Sequence, residues 1–175
     1  GQGALIQLAG ITTADMVIKT HGLFINFPRS PRFEQEDGPS SADAIDELDN
    51  WIELCAEYDA YDSLAKRDAK LEALIPYFVG QQQIFLVANS AATIMAARDW
   101  VAKHDLNVVY VSGKNAYQVA GYLGADNAKV IMGPVHSLPN GSAQTAFDHP
   151  YRAPSVLSAA GCEVALYTND VEVTR

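Results

Sequence analysis

The stretch QIFLVANSAATIMAARDWVAKHDLNVVYVSGKNAYQVAGYLGADNAKVIMGP, residues 83–134, decides the fold class of this sequence. It contains three short apolar runs that alternate with helical patterns, and a fourth run follows them; the runs are 83–88, 107–111, 129–132 and 163–168. Strands that are apolar on both faces and separated by helices are typical of βαβ units in a parallel sheet. The sequence therefore predicts an α/β fold of parallel βα repeats.

Two architectures fit this repeat. One is a doubly wound open sheet, and the other is a sector of a (βα)8 barrel, the TIM barrel, with right-handed crossovers in both. A whole barrel needs about 250 residues. The 175 residues of this chain, with four clear strands, would therefore form only a partial barrel. Periodicity alone leaves the two architectures open.

The length predicts a single domain over residues 1–175. Within it, residues 1–39 form a β-rich N-terminal segment and a proline-containing loop. Residues 40–80 form a helical segment, and residues 81–175 form the four βα units. The chain opens without methionine and stops directly after a predicted strand, so we expect both ends to be cuts in a longer polypeptide.

Several boundaries follow from local patterns. Residues Met16 to Phe27 predict one or two short strands, broken at Gly22. Ser40 or Ser41 caps the clearest helix, whose outer face is acidic. The further predicted helices run roughly from Ala65 to Phe78, from Asn89-Ser90 to His104, from residue 115 to Leu123-Gly124 and from Ala153 to Ala160.

Composition excludes several classes of partner. Lysine and arginine number 12 against 21 aspartates and glutamates, a formal charge of -9. Sequence-independent nucleic-acid binding depends on neutralising phosphates, so an acidic chain argues against it and against an anionic membrane surface. No apolar window reaches the roughly 18 residues that a membrane span requires.

Cys55 and Cys162 are far apart in the sequence and are expected in the core as small hydrophobic residues rather than as a disulfide.

Phrases of the sequence also resemble a known family. The later strands of the amidohydrolase superfamily, and of its imidazolonepropionase-like branch in particular, are similar to FLVAN at 85–89, VYVSG at 109–113, VIMGP at 130–134 and AAGCEVAL at 159–166. Two earlier stretches also resemble this branch: GQGALIQLAG at 1–10 and FPRSPR at 27–32. The resemblance implies a partial TIM barrel of the metal-dependent hydrolase type. It also implies a parent protein that hydrolyses non-peptide C–N bonds with water activated by zinc or another divalent metal.

The metal ligands of that family are not found at the matching positions. The family has His-x-His after its first strand, single histidines after the fifth and sixth, and an aspartate after the eighth. This sequence has no His-x-His, and the two histidine positions match Val87 and Ser112. The aspartate position matches Asn169, with Asp170 one residue later, so these two are the catalytic candidates. We therefore expect no metal and no cofactor in this chain, and a pseudo-enzyme fragment that is inactive alone; the resemblance leaves enzyme status open.

Active sites on parallel sheets lie at the carboxyl ends of the strands. The candidate substrate-binding residues at those ends are Val87, Asn89, Ser112, Lys114 and His136. We interpret residues 112–115 as an ordinary βα turn. The alternative hypothesis is that this turn binds an anion.

The four histidines have different expected roles. His104 is expected to complement a helix C-terminus. His136 and His149 are loop histidines that could contact substrate or metal, and His21 is a core or edge residue.

Two functions remain open. The chain is a segment of an amidohydrolase-like protein, or it is a non-catalytic α/β domain that binds a small molecule or a partner. A small-molecule substrate fits both, whereas nucleic acid and membrane do not. The open sheet edges predict coverage by the N-terminal segment and the acidic helix, or self-association. Members of the branch are often exported, so the resemblance implies the periplasm, and the sequence itself leaves the localisation unknown.

Overall fold

The computed structural model describes residues 2–6, 17–29, 40–60, 68–112, 115–133 and 148–167. The strands in these ranges are β1 (Gln2–Ile6), β2 (Val17–Asn26), β3 (Ile84–Val87), β4 (Val108–Ser112), β5 (Lys129–Met132) and β6 (Glu163–Leu166). The helices are α1 (Ser41–Ala60), α2 (Ala69–Phe78), α3 (Ala91–His104), α4 (Ala120–Ala125) and α5 (His149–Ala159), and a 3₁₀ turn spans Ala116–Val119. None of the helices in the described ranges has both the length and the hydropathy for crossing a membrane.

The six strands form one sheet in the order in which the chain makes them, β1-β2-β3-β4-β5-β6. β1 is antiparallel to β2, and β2 to β6 are parallel. A doubly wound sheet reverses its strand order at a switch point, and these strands show no reversal. The structure therefore confirms an α/β fold of parallel βα repeats, and it favours the partial TIM barrel over the doubly wound sheet.

The chain divides into two compact units. The first comprises residues 1–85 and 101–108, and the second comprises residues 86–100 and 109–175. The first unit holds the β1–β2 hairpin with α1 and α2. The second unit holds the carboxyl ends of β3 and β4, all of β5 and β6, most of α3, and the helices α4 and α5.

In the first unit, each of the two helices α1 and α2 begins directly after a residue whose side chain caps it. Ser40 Oγ accepts the Asp43 backbone N–H at 3.1 Å, and the Asp43 carboxylate accepts the Ser40 N–H at 3.3 Å. This reciprocal pair caps α1, so Ser40 is the cap. Asp68 caps α2 by accepting the Lys70 N–H at 2.9 Å. The predicted start of this helix near Ala65 was therefore several residues too early.

The N-terminal segment contains more strand than the sequence predicted. Residues 2–6, for which no strand was predicted, form β1, and β2 continues through Gly22 without a break. Gly22 adopts a φ of +89°, and a side chain there would collide with the Phe85 ring. The absence of a Cβ thus permits the strand to pass. β2 lies next to β3, where the Leu23 N–H donates to the Gln83 carbonyl at 3.3 Å, so the N-terminal segment covers that edge as predicted.

The fifth helix also differs from its prediction. It begins at His149 rather than Ala153, so His149 lies in a first helical turn and not in a loop. Pro150 is tolerated there because first-turn N–H groups have no partner within the helix. The predicted helix that ends near Gly124 begins as the 3₁₀ turn before it becomes α4.

The two cysteines lie where the sequence placed them. Cys55 and Cys162 are buried, and both are free thiols. Burial raises the pKa of each thiol above its ordinary value. Both residues therefore act as small core hydrophobes.

Candidate functional site

The carboxyl ends of the parallel strands form the candidate site, and the described part of it lies in the second unit. The hydrogen-bond ladder continues to these ends: the Ala88 N–H donates to the Val111 carbonyl and the Tyr167 N–H to the Met132 carbonyl, each at 3.0 Å. Gly133 follows β5 at the same level. A Cβ there would meet the Tyr167 carbonyl oxygen, so the close approach of these two chain segments requires glycine.

Charged groups on the helices show which face of the sheet Tyr110 occupies. The pKa of the Tyr110 phenol is raised to about 12, chiefly by burial; the nearby Asp126 and Asp99 carboxylates contribute to this rise, whereas Arg98 opposes it. Arg98 and Asp99 lie on α3, and Asp126 directly follows α4. The Arg98 guanidinium donates twice to Asp126, and this hydrogen bond holds the pKa of Asp126 below its ordinary value. Tyr110 therefore faces the helices.

Alternation along the strands assigns the other side chains to a face. Ser112 is two residues beyond Tyr110, and it pairs with Met132, so both lie on the helix-covered face. Val111 and its partner Ile131 lie on the opposite face and are only half-buried. In a TIM barrel the face opposite the helices lines the barrel interior.

Val87 lies on the interior-facing side. It is half-buried next to the fully buried Leu86, in a strand whose burial alternates. Its isopropyl group has no atom that can coordinate zinc. Val87 therefore presents an apolar side chain on the face of the sheet opposite the helices.

Ser112 lies on the other side. Its side chain is 0% exposed, and its hydroxyl has no hydrogen-bond partner among the described residues. Leaving a buried hydroxyl unpaired costs about 1–3 kcal/mol. Since Val87 and Ser112 lie on opposite faces of the sheet, a single metal centre cannot use both positions that the resemblance equates with metal ligands.

Asn89 connects two strand ends. It is exposed, and its backbone carbonyl accepts the side-chain amide of Asn115 at 3.0 Å, which links the end of β3 to the turn after β4. Ser90 then caps α3 by accepting the Thr93 N–H at 3.1 Å, and the hydroxyls of Ser90 and Thr93 are 2.7 Å apart. The helix therefore begins where the sequence predicted, and Ser90 is its cap.

The other candidate residues lie outside the described ranges. These are Lys114, His136, Asn169 and Asp170. They stay predictions, as does the anion-binding reading of the 112–115 turn. Within the ranges that the structure does describe, no three His, Cys, Asp or Glu side chains come together as a metal site. The donor chemistry of the described strand ends does not fit zinc.

His104 and His149 take part in contacts that the sequence did not reveal. His104 ends α3, as predicted, but its Nε2 also lies 2.7 Å from the Asp49 carboxylate in the first unit. The His149 ring packs on Tyr117 with centroids 4.6 Å apart and an angle of 33°. Both partners are distant in sequence, and no local pattern could have identified them.

Comparison with known proteins supports the fold. No protein-family model matches the sequence, and no curated protein matches it. A solved structure does: an amidohydrolase from Thermotoga maritima MSB8 superimposes with a TM-score of 0.70 at 17% identity, over 95% of this chain. The chain has the fold of part of an amidohydrolase-like barrel. It spans 46% of the length of that neighbour, and at this identity the likeness shows the fold alone.

Proposed function

We propose that this chain is a segment of an imidazolonepropionase-related amidohydrolase whose parent family hydrolyses non-peptide C–N bonds with metal-activated water. The chain itself lacks the usual ligands and does not catalyse the reaction alone. The observation that carries this proposal is the unreversed order of parallel strands, together with the fold it shares with a solved amidohydrolase.

The chemistry of the strand ends supports the loss of catalysis. Metal-dependent hydrolysis requires imidazole or carboxylate donors that converge on one ion. Val87 contributes a hydrocarbon side chain on the interior-facing side, and Ser112 lies under the helices. Val87 at the end of β3 can thus contact an apolar group of a ligand. Val87 and Ser112 cannot jointly coordinate one metal ion.

Zinc content and hydrolysis test this proposal together. The purified chain is incubated with zinc, dialysed and measured for bound metal, then assayed against cyclic amides and N-acyl amino acids with and without zinc. We expect substoichiometric zinc and no turnover. Zinc-dependent turnover that Asp170→Asn abolishes would contradict the proposal, because it would show a working metal centre.

A second function, binding of a small molecule without catalysis, is favoured by one observation. The Ser112 hydroxyl is fully buried at a strand end and lacks a partner among the described residues. Buried hydroxyls of this kind are unusual unless a ligand or water completes them.

Paired variants test the second function. In the free chain, Ser112→Ala removes a buried hydroxyl that has no partner among the described residues, and it should raise the free energy of unfolding by up to about 1–3 kcal/mol. Thr93→Val, the control, breaks the contact between the Thr93 and Ser90 hydroxyls and should cost about 1 kcal/mol. A small molecule that raises the melting temperature of the wild type and of Thr93→Val, but not of Ser112→Ala, would support binding at Ser112. Equal stabilisation of all three would exclude it.

A further inference from the structure

We draw no further inference here: the strongest candidate, the pair of contacting rings formed by Tyr117 in the 3₁₀ turn after β4 and His149 at the start of α5, carries none, because residues 134–147, which directly precede α5 in the sequence, lie outside the described ranges and nothing in those ranges shows what covers the two rings.

Discussion

Gly124 permits a close approach between two helices of the second unit. A Cβ at this position would collide with the backbone of Ala160, whose carbonyl carbon would lie 2.6 Å away. Gly121 lies on the same helix, and a Cβ there would have no atom within 4 Å. The two glycines thus form a matched pair in which only one is required for packing.

We predict opposite effects for alanine at these two sites. Gly124→Ala should lower the free energy of unfolding by about 1–3 kcal/mol, because backbone atoms have to move. Gly121→Ala should raise it by up to about 1 kcal/mol, because alanine favours the helix. Urea unfolding of both variants measures the difference. Equal effects would show that α4 does not pack against Ala160 as described.

The buried Tyr110 predicts a loss of stability at alkaline pH. Its pKa is about 12 in the folded chain against 10.0 ordinarily, chiefly because of burial. The neutral phenol is favoured in the fold, so its contribution is complete below pH 10 and is lost as the pH rises through about 12. At about 1.4 kcal/mol for each pKa unit, this contribution is about 2–3 kcal/mol.

Phenylalanine variants measure this contribution. Urea unfolding between about pH 9 and pH 12 should show a smaller loss of stability in Tyr110→Phe than in the wild type. Tyr122→Phe, a change at an exposed tyrosine, should behave like the wild type. A Tyr110→Phe profile that coincides with that of the wild type would refute the burial of this phenol.

Between elements, Asp49 joins α1 to the last turn of α3 within the first unit. It accepts a hydrogen bond from Lys103 Nζ, and its carboxylate lies 2.7 Å from His104 Nε2. The Lys103 amine is largely exposed, and an ion pair of this kind contributes little. The His104 and Asp49 side chains are only 15% and 18% exposed, so their contact matters more.

We predict that Asp49→Asn lowers the free energy of unfolding by about 0.5–1.5 kcal/mol at neutral pH. Asp46→Asn removes an exposed carboxylate from the same helix and should change it by less than about 0.5 kcal/mol. Thermal unfolding at low salt compares the two variants. If Asp46→Asn proved as costly, the net charge of α1 would explain the loss better than the contact with His104.

The sequence predicted the positions of the strands and helices best. It predicted least well on which face of the sheet each side chain lies. Apolar runs and caps located β3 to β6 and α3 because these patterns are local. The resemblance placed Val87 and Ser112 at equivalent metal positions, but alternation puts them on opposite faces. A shift of one residue in the alignment moves every side chain of a strand to the other face of the sheet. The resemblance between short stretches of sequence does not determine the alignment to within one residue. The contact of His104 with Asp49 was equally inaccessible, since it depends on tertiary packing.

For the whole chain, the decisive feature is the order of the strands. The sequence left a doubly wound sheet and a partial barrel open because both are made of the same βα repeats. The sequential order separates them, and the amidohydrolase-like fold follows from it together with the structural neighbour. The proposed function depends on this order as well.

Nuclear Overhauser effects between backbone protons test the strand order most directly. The register pairs Val109 with Lys129 and Lys129 with Glu163. A partial barrel predicts cross-strand effects between β4 and β5 and between β5 and β6, and none between β4 and β6. Direct effects between β4 and β6, with β5 elsewhere in the sheet, would contradict the fold and the function proposed from it.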